Sequence, residues 1–191
     1  MASESSTQWR SVSPARPGSS SAGAAALAVP LLAASLLACG DRVKDRAIED
    51  LGPESPDVAV GPLHRPGQPC LVCHDGAEAR AFSVAGTVYW APDSDAPAAG
   101  AAVRMIDALE RPFTAIANCN GNFFVQPGEF DPKYPLWVSV GAGSLEIPMD
   151  SPINGDGSCA RCHGLTPGPE SAGRVYAAPI APEEPSAEGC P

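Results

Sequence analysis

Two short segments of this chain repeat one spacing: Cys70-Leu71-Val72-Cys73-His74 and Cys159-Ala160-Arg161-Cys162-His163. Between Cys73 and Cys159 lie 85 residues, 74–158. The chain has three histidines, and two of them close these motifs. Any fold must therefore present both elements from a middle segment built independently of them.

Two cysteines three positions apart, followed at once by histidine, is the spacing of covalent haem attachment. The thiols add to the porphyrin vinyl groups and the imidazole becomes the proximal iron ligand. On that reading Cys70, Cys73, Cys159 and Cys162 carry the thioether links, and His74 and His163 ligate the iron of two c-type haems. Sixth ligands are scarce. His64 is the remaining histidine, although its Pro-rich surroundings read as solvated. Met105 and Met149 are the methionine candidates, yet they lie beside Val103 and Ile147 in alternating apolar stretches and read as core residues. The segments flanking both motifs are rich in Gly and Pro and short of large apolar residues, so they show no pocket of their own.

Other readings compete. Four thiolates around zinc would suit two CxxC knuckles chemically, but the separation far exceeds the roughly 15–20 residues of a zinc ribbon. The same cysteines could staple a small exported domain, each disulfide contributing roughly 2–4 kcal/mol. Coincidence ranks last. The histidine after both CxxC pairs favours haem, since neither a disulfide nor a Cys₄ site requires one there.

The middle of the chain has strand character. Phe82, Val84, Gly86, Val88 and Trp90 alternate with mostly smaller or polar residues, the period of a half-buried strand. Further strands are expected over 102–106, 113–118, 122–126, 136–140 and 145–149, with a short edge strand at 174–176. Asn120-Gly121 is a hairpin signal between the third and fourth, because both turn positions need positive φ. The expected fold is mainly β, a small antiparallel β-sandwich of about six or seven strands. Its hairpins would return the chain to the end where it began, placing both CxxCH segments together. The expected organisation is a signal over 1–38, a flexible tether over 39–66 with one helical turn, a first coil-rich CxxCH segment over 67–81 and the sandwich over 82–150. A second CxxCH segment follows over 151–166, then a disordered Pro-rich tail over 167–191.

VAGTVY, then PAAGAAVRMID, then FTAIANCNGNFFV resembles the transthyretin-like, carboxypeptidase-regulatory-like β-sandwich family. Its members read V-x-G-x-V, then P-x-x-G-A-x-V, then a turn and a strand leading to G-x-F. The likeness covers residues 82–150 and departs at Leu109-Glu110-Arg111-Pro112, where Asn-Gly or Asp-Gly is usual. It implies a sandwich with a binding or accessory role and carries no catalytic residues.

Arg10 and Arg16 precede the apolar run Ala24 to Ala38, which ends Leu36-Leu37-Ala38-Cys39. A basic flank, a short apolar core and a small residue before the cut describe an export signal, and the run is short for a membrane span. The same four residues resemble the lipobox of bacterial lipoproteins. That resemblance implies cleavage before Cys39, a lipid on Cys39, and membrane anchoring in the cell envelope. The residues left, 39–191, suffice for one modest core. Losing Glu4, Arg10 and Arg16 moves the net charge from −10 to −11. Such acidity argues against nucleic acid or anionic lipid and for a neutral or basic partner, here a redox protein. Of the seven cysteines, Cys119 and Cys190 are left over as a candidate disulfide.

Enzyme signatures are missing. There is no phosphate loop, no GxSxG elbow and no nucleophile–base spacing. Asp93-Ser94-Asp95 and Asn154-Gly155-Asp156-Gly157 are incomplete as calcium loops and fit turn chemistry. The sequence points to a non-enzymatic envelope lipoprotein that binds two c-type haems and transfers electrons. The alternative is a surface-binding or structural module clipped by disulfides or a structural zinc.

Overall fold

Short alternating segments punctuated by Gly, Pro and Asn fold as seven strands in the computed structural model. It describes residues 41–178 apart from 55, 57 and 59. The expected signal, Cys39, Cys190 and the tail beyond 178 lie outside the described residues. The strands are β1 (Val84–Tyr89), β2 (Ala102–Ile106), β3 (Pro112–Ile116), β4 (Asn122–Val125), β5 (Trp137–Ala142), β6 (Leu145–Pro148) and β7 (Val175–Tyr176). They form a three-stranded sheet in the order β4-β1-β7 and a four-stranded sheet in the order β3-β2-β5-β6. All pairings are antiparallel except β1 with β7, which is parallel, Val88 facing Val175. The fold is mainly β, as expected. Phe123, Met105, Leu136, Val84, Val88, Val103 and Val125 are its largest fully buried side chains.

Met105 thus belongs to the core, 1% exposed, and packs in the same cluster as Val84 and Phe123. A thioether so enclosed has no free face for iron. Met149 is half-exposed, and its amide donates to Val138 O at 2.9 Å beside the four-stranded sheet.

Two local expectations change. Strand β1 is not half-buried but buried along its whole length. Val84 and Val88 enter the core, while Ala85, Thr87 and Tyr89 on the opposite face are covered too. Asn120-Gly121 does not close a hairpin: β3 and β4 lie in different sheets, and the turn carries the chain from one to the other. Asn118 Oδ1 accepts from Asn120 N at 3.0 Å and Asn122 N at 3.1 Å. Backbone bonds close the turn as well: Gly121 N donates to Asn118 O and Asn118 N to Asn122 O, both at 2.8 Å. Gly121 has φ +72°, and a Cβ there would fall 2.2 Å from Val88 O.

Residues ahead of the sandwich are docked rather than free. Helix α1 (Arg42–Asp50) extends over nine residues, more than the one turn expected. Arg46 pairs with Asp50 along it at 3.1 Å, and Lys44 Nζ reaches Asp75 at 2.7 Å. Arg65 bonds Glu54 at 3.2 Å and Gly52 O at 2.8 Å. These contacts fold the stretch before the first motif back on itself.

Asp107, 2% exposed, organises the turn after β2. It accepts from Leu109 N, Arg111 N and Lys133 N at 3.0 Å each, and from Arg111 Nε at 2.9 Å. The Arg111 guanidinium, and then these amides, hold its carboxyl well below the usual carboxylate range. A depressed folded-state pKa stabilises above the unfolded value of about 3.9 and is lost as pH falls through the lower folded value. Urea midpoints of the wild type and Asp107→Asn should therefore differ at neutral pH, the variant being weaker. They should converge as pH is lowered through about 4 and below.

Candidate functional site

Each CxxCH segment folds as a single 3₁₀ turn, Cys70–Val72 and Cys159–Arg161. The two turns repeat one hydrogen-bond pattern. Cys70 O accepts from Cys73 N at 3.2 Å and His74 N at 2.9 Å; Cys159 O accepts from Cys162 N at 3.1 Å and His163 N at 2.9 Å. The chain then loops back onto the second cysteine, whose carbonyl accepts from Ala79 N at 3.1 Å in the first motif and Ala172 N at 2.8 Å in the second. The next carbonyl along takes the imidazole: His74 Nδ1 donates to Arg80 O and His163 Nδ1 to Gly173 O, both at 2.9 Å. The loops differ in length, so their sequences do not align, yet the bonds do.

A carbonyl only accepts, so Nδ1 carries a proton in both rings, and in the neutral ring the lone pair falls on Nε2. This is how a metal-binding imidazole is held, with its second nitrogen fixing tautomer and orientation. His64 obeys the same rule, its Nδ1 against Gly61 O. All three histidines of the chain therefore present Nε2.

Strand β1 brings the motifs together. Ser158 bridges Ala85 in parallel, and Cys159 packs against Gly86, where a Cβ would lie 2.8 Å from Cys159 Cβ and 3.1 Å from Sγ. On the first side Gly67 N donates to Thr87 Oγ1 at 2.7 Å. Gly67 has φ +78°, and a Cβ there would meet the Tyr89 hydroxyl at 2.6 Å and Leu165, from the second motif's loop, at 2.7 Å. Burial pushes Cys159 up to about 12, helped by charge on Cys70 and Cys162, so it is a neutral thiol. Burial also raises Cys70. The sequence expected the motifs to share one end of the sandwich; the structure seats both against β1.

Beside the first motif lies a cleft of about 490 Å³ lined by Cys70, Cys73, His74, His64, Phe82 and Phe124, among others. That volume suits a cofactor site, which spans roughly 300–1,000 Å³. Phe82 stacks on His74 at 4.1 Å and on Phe124 at 4.8 Å between centroids. The apolar walls missing from the flanking sequence come from the sandwich itself. A second cleft of about 470 Å³ separates the motif segments, with Leu71 and His74 on one side and Asp156 and Arg161 on the other.

His64, read from sequence as solvated, is fixed. Asn118 Nδ2 donates to Pro62 O at 2.6 Å, Asn120 Nδ2 to Leu63 O at 2.7 Å and Asn122 Nδ2 to His64 O at 3.0 Å. Three successive carbonyls are thus held by alternate asparagines of the inter-sheet turn. Thr87 Oγ1 donates to Asn122 Oδ1 at 2.7 Å, tying that clamp to β1. The Asn-x-Asn-x-Asn run at 118–122 was visible in the sequence, but its target was not.

The four motif cysteines are free thiols. Among the described residues no three His, Cys, Asp or Glu side chains converge to hold a metal ion. Cys119 is disulfide-bonded, while its expected partner Cys190 lies outside the described residues. Among the described residues no helix is long and apolar enough to cross a membrane. Comparison with protein families, curated proteins and solved structures finds no match to this chain.

Two substitutions test this geometry. Asn122→Ala leaves the Thr87 hydroxyl and the His64 carbonyl without their partner and should cost about 1–3 kcal/mol in urea denaturation. Gly86→Ala drives a methyl group into Cys159 and should cost a similar ~1–3 kcal/mol. Gly128→Ala, which meets nothing within 4 Å, should stay within about 0.5 kcal/mol of wild type.

Proposed function

We propose that this protein is an exported, lipid-anchored electron-transfer protein that carries two c-type haems on a β-sandwich scaffold. The observation that carries the reading is the repeated motif geometry. Two segments with unrelated loops make the same three backbone bonds and the same Nδ1–carbonyl bond, and so prepare two imidazoles for metal through Nε2. A disulfide staple needs neither the histidine nor its tautomer.

Residue roles follow from placement. Cys70 and Cys73 would anchor one haem and Cys159 and Cys162 the other. His74 and His163 would hold the irons. Phe82 and Phe124 would exclude water from the first site and keep the His74 ring in place by stacking. A thioether carries no charge, which suits the desolvated position of Cys159. Bound haem supplies reversible one-electron chemistry, and its potential depends on the axial ligands and burial the chain provides. With both motifs against β1, electrons could pass between two centres without any moving part. Export fits this use, since the apolar run ending at Cys39 directs the chain to the envelope, and a net charge near −11 after cleavage favours a basic redox partner.

Visible spectroscopy of protein made in cells able to attach haem outside the cytoplasm tests the proposal. The purified protein should be red, with a Soret band that survives acid–acetone extraction. Replacing Cys70 and Cys73 together with Ser should remove about half of the covalent haem, and the Cys159/Cys162 pair the other half. A colourless protein from such cells would overturn the reading, and zinc in elemental analysis would favour the metal-clip alternative.

A further inference from the structure

The two motifs share their local geometry but not their surroundings, and the difference lies in His64. We infer that His64 and His74 are the two axial ligands of one haem, whereas among the described residues no histidine or methionine is placed to complete the His163 site, which leaves its sixth position open to an added ligand. This deepens the haem reading above and rests on it.

Four observations place His64. It lines the same cleft as Cys70, Cys73 and His74. Its carbonyl and the two before it are clamped by Asn118, Asn120 and Asn122. Its Nδ1 is committed to Gly61 O, which leaves Nε2 free. Its ring centroid is 5.8 Å from that of His74. Two imidazoles sharing one metal through Nε2, at roughly 2 Å per bond, have centroids roughly 6 Å apart. The 5.8 Å spacing in the protein is close to that separation.

His163 has no such counterpart. The chain contains three histidines, and the third lies in the first motif's cleft near His74. Met105 is enclosed in the core, and Met149 is tied to Val138 beside the four-stranded sheet and lines neither cleft. Lys133 pairs with Asp131 at 2.8 Å. Among the described residues, then, no histidine or methionine is placed to complete the His163 site. The strongly acidic chain disfavours anions at such an open position, so a neutral probe such as carbon monoxide is the one to test it with.

Carbon monoxide and electron paramagnetic resonance test the inference on the purified holoprotein, with haem counted first by the pyridine haemochrome. The ferric protein should show one low-spin and one high-spin centre, and the reduced protein should bind one carbon monoxide per two haems. His64→Gly should lose the low-spin signal and double the carbon monoxide bound, and added imidazole, which also fills the open site, should bring the variant to the spectrum of imidazole-treated wild type. That rescue would not follow from a structural role of His64. Two low-spin centres with no carbon monoxide uptake, or a His64→Gly spectrum unchanged at full haem content, would overturn the inference and leave the haem reading standing. A haem count of zero would overturn both.

Discussion

Strand β1 is buried on both faces, and the other features of the site depend on that. One face enters the core through Val84 and Val88. The other is closed by the segment carrying His64 and the first motif, through Thr87 and Tyr89. The second motif returns alongside, through Ser158 opposite Ala85 and Cys159 against Gly86. A side chain at Gly86 would hold the second motif off, and one at Gly67 would hold off the first. The strand therefore works as a shared floor: two separated pieces of chain are neighbours because each is packed on it.

On that floor the chemistry is set by a single type of bond. Each histidine gives its Nδ1 proton to a backbone carbonyl, which costs little where the loop already turns back and removes the tautomer ambiguity of a free imidazole. The loops that do this differ in length and composition. What the two motif loops have in common is an alanine amide that closes on the second cysteine's carbonyl, so that the following carbonyl lies beside the ring. Apolar walls come from elsewhere, from Phe82 and the β4 residues Phe123 and Phe124.

Much of this was legible in the sequence. The CxxCH pairs, the strands at 102–106 and 122–126 and the edge strand near 175 could all be read from spacing and period. The parts that could not be read depend on partners distant in the chain. Alternation in 82–90 suggested one buried face, because nothing in that stretch announces the segments that cover Thr87 and Tyr89. Asn120-Gly121 signals a turn, but whether its flanking strands pair depends on their other partners, and here β4 pairs with β1 and β3 with β2. His64 looked solvated in Pro-rich sequence because its hydrogen bonds come from Asn118, Asn120 and Asn122. The apolar walls of the cleft were missing only locally, since the flanks of the motif supply none of the phenylalanines except Phe82.

The account stands or falls on covalent haem at both motifs. Intact mass of the mature protein under denaturing conditions tests this most directly, since thioether-linked haem survives unfolding whereas coordinated zinc does not. The mass should exceed that of the lipid-bearing chain 39–191 by two haems. A mass equal to the lipidated polypeptide alone, from cells that attach haem to a control cytochrome, would contradict it.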